Sequence, residues 1–241
     1  MKEDLLNEKK VLFTGTPCEV AGLKKYLGKE FGNLYTIDII CHGVPSQKLL
    51  HRCIKEQEIK HCSKIKGMTF RDKNYGWRNQ EINMVFENGK NYHSPIWKDE
   101  FYRLFTSNYI LRDSCYSCHY SNIRRPGDIT IGDFWNIKNV DESFEDFLGI
   151  SSVLINSKKG EELFGKIKEY FEWFECSLEG IMQPNLSRPS QKPEKYDCFQ
   201  KDLKNKGMNY CMKKYGSMRF GEKVRRYLSP LKYSILKIIQ K

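Results

Sequence analysis

The chain has 241 residues, 39% of them apolar and 13% aromatic, and a formal net charge of +11. It is too apolar for a disordered chain and long enough for one substantial core, alone or with an appendage. No apolar run approaches the roughly 20 residues that span a bilayer, and the leading MKEDLLNEKK lacks the apolar centre of a signal peptide, so a cytoplasmic protein is expected.

KKVLFTGT predicts a short buried strand that leaves through a tight corner at Gly15. Pro17 suits the first turn of a helix, where a missing N–H costs nothing. Val20, Leu23 and Leu27 then recur at helical spacing, with Lys24 and Lys25 on the other side. NLYTIDIICHG predicts a second strand, stopped at His42-Gly43. PSQKLLHRCIKEQEI predicts a helix with Leu49, Leu50, Cys53 and Ile54 on one face. This strand–helix–strand–helix order points to a parallel α/β unit.

From Ile65 the pattern changes to short alternating runs broken by Asn-Tyr-Gly and Glu-Asn-Gly, as in antiparallel hairpins. KDEFYRLFTSNYILR returns to helical spacing, GDITIGDFW is strand-like, and SSVLINSKKGEELFGKIKEYF predicts strand then helix. MQPNLSRPSQKPEK is rich in Pro, Ser and Asn and predicts an extended connector. Lys201–Lys241 holds 12 Lys and Arg against Asp202 and Glu222, which leaves the first 200 residues at +1. A nucleic-acid reader carries its basic stripe on the folded body, so no specific nucleic-acid binding is expected. Val224, Tyr227, Leu228, Leu231, Ile235 and Ile238 recur at helical spacing in this tail, with Pro230 set to kink it. Docking on protein is expected of it, and peripheral contact with an anionic membrane is the alternative. The expected fold is α/β to α+β: a mixed sheet with flanking helices and a basic helical C-terminal appendage. The organisation is a domain over 1–180 with a four-cysteine cluster site, an extended connector over 181–200, and a basic helical tail over 201–241.

Nine cysteines in such a chain favour metal, redox or packing roles over a disulfide framework. Cys115 and Cys118 form C-x-x-C, a spacing that lets two thiolates reach one centre from a single turn. Zinc, an iron–sulfur cluster and a redox pair all remain open on that motif alone. The redox pair is the weakest, because SNIRRPGD follows where a helix would have to begin. A metal site needs two more ligands. Cys18 stands at a strand-to-helix corner and Cys41 at a strand end, and neighbouring parallel strands end on one sheet edge, where ligands collect. The N–H groups at a helix start also favour a thiolate at Cys18. Cys53, Cys62, Cys176, Cys198 and Cys211 are expected to be packed or exposed thiols.

VLFTGTPCEVAGLKKYL, LYTIDIICHGVPS, FRDKNYGW, LRDSCYSCHYSNIRRPGDITIGDFW and GISSVLINSKKG, in this order, closely resemble the C-terminal region of the coenzyme F420 hydrogenase/dehydrogenase beta-subunit family. The resemblance spans roughly residues 8 to 200. It implies a [4Fe–4S] cluster on Cys18, Cys41, Cys115 and Cys118, next to FAD, with electrons passing between flavin and cluster and coenzyme F420 as a possible hydride partner. It also implies cofactor contacts at Thr16 of the Thr-Pro-Cys motif, at Arg71, Lys73 and Trp77 of FRDKNYGW, and at Gly132 and Asp133 of GDITIGDFW. Arg71 and Lys73 would grip phosphate or an acidic tail, Trp77 would stack on a ring, and Gly132 would allow close backbone approach. His42 is expected to be a plain turn residue.

Fuller members of that family begin with a ferredoxin-like segment and a Ser-Gly-Gly stretch associated with flavin, and nothing here matches either. The expectation is a redox partner protein or subunit that supplies those parts, or a truncated chain that keeps a cluster without a complete flavin site. The principal expectation is thus an iron–sulfur, flavin-associated oxidoreductase module. The alternative is a non-enzymatic interaction module stabilised by zinc on the same four cysteines.

Overall fold

A computed structural model describes residues 1–218, 221 and 222. In chain order the first elements are α1 (Lys2–Leu6), β1 (Val11–Gly15), α2 (Pro17–Leu27), β2 (Leu34–Ile39) and α3 (Gln47–His61). Three strands follow, β3 (Ile65–Asp72), β4 (Glu81–Phe86) and β5 (Asn91–Pro95), then α4 (Glu100–Thr106) and β6 (Ile129–Asp133). The remainder is α5 (Ile137–Val140), β7 (Ser151–Ile155), α6 (Lys158–Ile167), α7 (Leu178–Ile181) and α8 (Tyr196–Cys211). The chain divides into two compact units, Met1–Ser46 with Gly76–Arg78 and Leu111–Lys192, and Gln47–Tyr75 with Asn79–Ile110 and the residues from Pro193.

The first unit is built on a four-stranded sheet in the order β1-β2-β6-β7. β1, β2 and β6 run parallel, and β7 returns antiparallel to β6. The crossover from β1 to β2 is α2, and its start is fixed locally. The Thr16 N–H donates to Glu19 Oε2 at 2.8 Å, and Pro17 takes the first helical position. Gly28, at φ 71°, ends the helix in the left-handed conformation that a side chain would resist. Leu27, Phe31 and Leu34 bury together with Leu5, and Val11, Phe13 and Leu23 pack onto them. Each such apolar side chain contributes about 1.5–3 kcal/mol when fully buried. A second cluster joins Trp77, Phe134 and Ile137.

The second unit holds an antiparallel meander, β3-β4-β5. Ile82, Met84 and Phe86 alternate into its core, the period of two that a half-buried strand requires. The hairpin from β4 to β5 turns at Gly89, φ 81°. Cys53 of α3, Phe101 and Leu104 of α4, and Phe199, Met208 and Cys211 of α8 form its main core. α8 breaks at Gly207, whose φ of 79° and ψ of 177° are not helical. The mixed α/β fold with flanking helices matches the expectation. One helix is shorter than its pattern: α4 stops at Thr106, and Asn108 follows at φ 63°, a left-handed turn that Asn tolerates. The tail residues from Val224 to Ile238 lie outside the described residues. Among the described residues, no helix is long and apolar enough to cross a membrane.

Candidate metal centre

The parallel strands of the first unit all deliver their C-terminal ends to one edge of the sheet. β1 runs through Thr16 and Pro17 into Cys18. From β2, the Ile40 N–H donates to the Ile131 carbonyl at 2.8 Å, which carries the strand pairing to the residue before Cys41. A short 3₁₀ turn, Asp113–Ser117, carries Cys115, whose N–H donates to the Arg112 carbonyl at 2.9 Å, and Cys118 follows it in extended backbone. Cys18, Cys41, Cys115 and Cys118 line a single cleft, together with Pro17, His42 and Arg125. All four are free thiols.

The cleft offers hydrogen-bond donors to sulfur. Thr16 Oγ1 lies 3.1 Å from Cys18 Sγ, and the Val44 N–H donates to Cys115 Sγ at 3.4 Å. Gly43 bonds to Cys41 through its backbone N–H. The glycine is required, because φ there is 144° and a Cβ would stand 2.8 Å from Leu111 Cδ1. Burial pushes the Cys41 thiol up to about 11, and the three neighbouring sulfurs act in the same direction while the Gly43 N–H opposes them. A metal reverses that preference, since its charge favours the thiolate. From outside, Ser190 donates to the His42 carbonyl at 2.5 Å, so part of the Pro- and Ser-rich segment straps the Cys41 loop.

Behind the cleft lies a buried polar network that periodicity did not reveal. Asp38 of β2 pairs with Arg125 at 2.7 Å, and the two side chains are 0% and 1% exposed. Asp38 also accepts from the Gly127 N–H at 2.8 Å and from Thr130 Oγ1 at 2.7 Å. Next to it, Asp128 accepts from the Thr36 N–H and hydroxyl and from Ser157. Burial raises the Asp128 pKa, but the bonds from Thr36 and Ser157 outweigh it and hold the carboxyl below its ordinary range. In the sequence the available signals were an Asp inside an apolar strand and an Arg-Arg-Pro-Gly-Asp turn close to the C-x-x-C.

The other expected site residues are placed variously. Thr16 belongs to the cysteine cleft. Gly132 is in β6, where a Cβ would meet Ile40 Cδ1 at 2.6 Å, so close packing within the sheet accounts for it. Asp133 ends the same strand and pairs with Ser151 of β7. Trp77 is 3% exposed: the Arg78 guanidinium covers it at 4.4 Å and Trp135 at 5.1 Å. It packs as a core residue, and the ring beside it that meets solvent is Trp135, 51% exposed. Arg71 and Lys73 belong to the second unit, where Arg71 Nε donates to Gln80 Oε1 at 3.1 Å. Cys53 and Cys211 are buried in that unit's core, and Cys62, Cys176 and Cys198 are exposed.

Four thiols with backbone N–H donors suit a cysteine-ligated iron–sulfur cluster, which takes four thiolates and is tuned by hydrogen bonds to sulfur. Among the described residues, no three His, Cys, Asp or Glu side chains converge as they would round a single metal ion.

The first unit is thus an α/β sheet with four thiols lining one cleft, two after parallel strands and two in the C-x-x-C loop. The family model of the coenzyme F420 hydrogenase/dehydrogenase beta subunit, C terminus, matches residues 8–175. The chain belongs to this family, and the matched segment includes all four cleft cysteines. It is thereby related to oxidoreductase subunits. No curated protein matches the sequence. A similar solved structure is that of the F420-reducing [NiFe] hydrogenase complex from Methanosarcina barkeri, at 18% identity and a TM-score of 0.43. That similarity covers 86% of this chain and 61% of the other, so the chain spans less than two thirds of the length of that relative.

Proposed function

We propose that this chain is an iron–sulfur redox module of the beta-subunit type, working with a partner that supplies flavin chemistry. The observation that carries the reading is that Cys18, Cys41, Cys115 and Cys118, from three separate stretches of chain, line one cleft. A [4Fe–4S] cluster bound there would supply one-electron transfer, which a flavin on a partner could exchange for hydride chemistry with coenzyme F420 or another acceptor.

The chain's own contribution is to hold and tune. The four thiolates supply the ligands, two from strand ends and two from the C-x-x-C turn. Pro17 and the capped start of α2 fix Cys18 beside N–H groups that favour negative charge. The backbone N–H groups of Gly43 and Val44 bond to the sulfurs of Cys41 and Cys115, and such bonds raise a cluster's reduction potential by stabilising its more negative state. Ser190 and the strap it belongs to hold the His42 carbonyl and so the loop that follows Cys41.

Low-temperature electron paramagnetic resonance on anaerobically purified, dithionite-reduced protein tests the reading. A rhombic signal of one unpaired electron per chain is expected. A protein silent in both redox states, with no visible charge-transfer absorption, would contradict it.

A further inference from the structure

Most of the loop that carries the C-x-x-C lacks regular structure. Between Leu111 and Gly127 there is only the one 3₁₀ turn; backbone bonds tie its start to the Cys41 loop, the Arg112 N–H donating to the Val44 carbonyl at 3.0 Å, which leaves the stretch after Cys118 to be held by side chains. One side chain spans the gap. Arg125 Nη1 donates to the Tyr120 carbonyl at 2.6 Å and to the Asn122 carbonyl at 3.5 Å, both in the loop just after Cys118. Its Nη2 donates to the Ile39 carbonyl at 2.8 Å and to Asp38 Oδ1 at 2.7 Å, both on the strand that leads to Cys41. Nε completes the set with Asp38 Oδ1 at 3.2 Å and Thr130 Oγ1 at 3.3 Å.

We infer that Arg125 is the positioning residue of the centre, the clamp that registers the C-x-x-C loop against the end of β2, with Asp38 as its anchor. The inference rests on the proposed reading of the four thiols as ligands. The planar, five-donor fork of a guanidinium is what the geometry uses: it reaches loop carbonyls on one side and a strand carbonyl and carboxylate on the other. A lysine at the same place keeps the charge and the ion pair with Asp38 but cannot serve both sides. Arg125 also lines the cleft itself, with its charge balanced by the Asp38 carboxylate behind it.

Arg125→Lys separates this role from simple stabilisation. Lys159→Met is the control, since Lys159 Nζ also clamps backbone carbonyls, Phe31 at 3.3 Å and Leu34 at 2.8 Å, at the opposite end of β2. Two readouts are compared with wild type: the rate at which a chelator strips iron from anaerobically loaded protein, and Co²⁺ affinity of the metal-free protein followed by thiolate charge-transfer absorption. Arg125→Lys should lose iron roughly 10–100-fold faster and bind Co²⁺ more weakly by a similar factor, the usual effect of removing a group that orients ligands. Lys159→Met should lower thermal stability and leave both readouts near wild type. Asp38→Asn carries the same test with a smaller effect should Arg125→Lys fail to fold.

Wild-type rates in Arg125→Lys, or equal losses in Arg125→Lys and Lys159→Met, would overturn the positioning role. Wild-type protein that takes Co²⁺ on its thiols yet never holds iron and sulfide would overturn the cluster reading instead, and the Co²⁺ comparison would still decide Arg125. Wild-type protein that takes neither would overturn both.

Discussion

Asp38 and Arg125, 87 residues apart in the chain, form a buried ion pair at 2.7 Å that links a strand of the sheet to the loop behind the C-x-x-C. Almost no water reaches either side chain, so the pair persists because every remaining donor and acceptor is also used. Removing one partner strands the other as an unpaired buried charge. Arg125→Met should therefore destabilise the protein by about 3–5 kcal/mol, read as a fall in the denaturant midpoint. A loss below about 1 kcal/mol, the scale of an exposed pair, would mean that the Asp38 carboxylate is solvated after all.

Gly127 stands against the same carboxylate. A Cβ there would lie 2.8 Å from the Asp38 backbone nitrogen and 2.9 Å from its Oδ2, with no flexible group to give way. Gly127→Ala is expected to cost about 1–3 kcal/mol through overpacking. Gly165 makes the contrast: it lies inside α6, and a Cβ would meet nothing within 4 Å. Gly165→Ala should stabilise by about 0.5–1 kcal/mol, the ordinary helix gain over glycine. Thermal melts of the two variants should move in opposite directions.

Ligand loss should follow the cleft and not the cysteine count. Cys18→Ser, Cys41→Ser, Cys115→Ser and Cys118→Ser should each lose most bound iron, with Cys115→Ser also less stable. Cys198→Ser, at an exposed position, should keep both iron content and stability nearly unchanged. Full iron in both Cys115→Ser and Cys198→Ser would show that the ligands had been assigned wrongly.

Cys53 gives a pH dependence away from the centre. Burial in the core of the second unit, with minor help from the charges of Asp99 and Glu56, pushes its thiol from an ordinary 9.0 up to about 12. The folded state thus keeps the proton that the unfolded chain gives up. The stability this contributes is fully present below pH 9, declines from there as the unfolded thiol ionises, and is gone above about 12. Between those limits the decline attributable to Cys53 approaches about 1.4 kcal/mol per pH unit. Denaturant midpoints measured between pH 8 and 11 should fall more steeply in wild type than in Cys53→Ala. Equal slopes would mean that Cys53 ionises as freely in the fold as outside it.

Much of this architecture is legible in the sequence because it depends on local signals. Gly15-Thr16-Pro17 marks the exit from β1 and the start of α2, the β-branched run before Cys41 marks β2, and Glu-Asn-Gly marks the β4–β5 hairpin. Cys18 and Cys41 are expected on one edge because parallel strands end there, and C-x-x-C is a local motif.

What escapes the sequence is what depends on distant pairing. Asp38 reads as one polar residue in an apolar strand, and Arg125 as one more charge in a basic loop. Their meeting is fixed only when β2 and β6, about 90 residues apart in the chain, become neighbours in the sheet. The surroundings of Trp77 are likewise set at a distance: the Phe147 carbonyl accepts its N–H at 2.9 Å and the ring packs with Phe134 and Ile137. The aromatic count of a turn does not say which ring is buried.

The most direct test of the central claim is the simultaneous measurement of iron, acid-labile sulfide, zinc and released flavin on protein purified under strict anaerobic conditions. Four irons and four sulfides per chain are expected, the content of a [4Fe–4S] cluster on Cys18, Cys41, Cys115 and Cys118. Zinc at one per chain without sulfide would contradict the redox reading and leave a metal-stabilised interaction module.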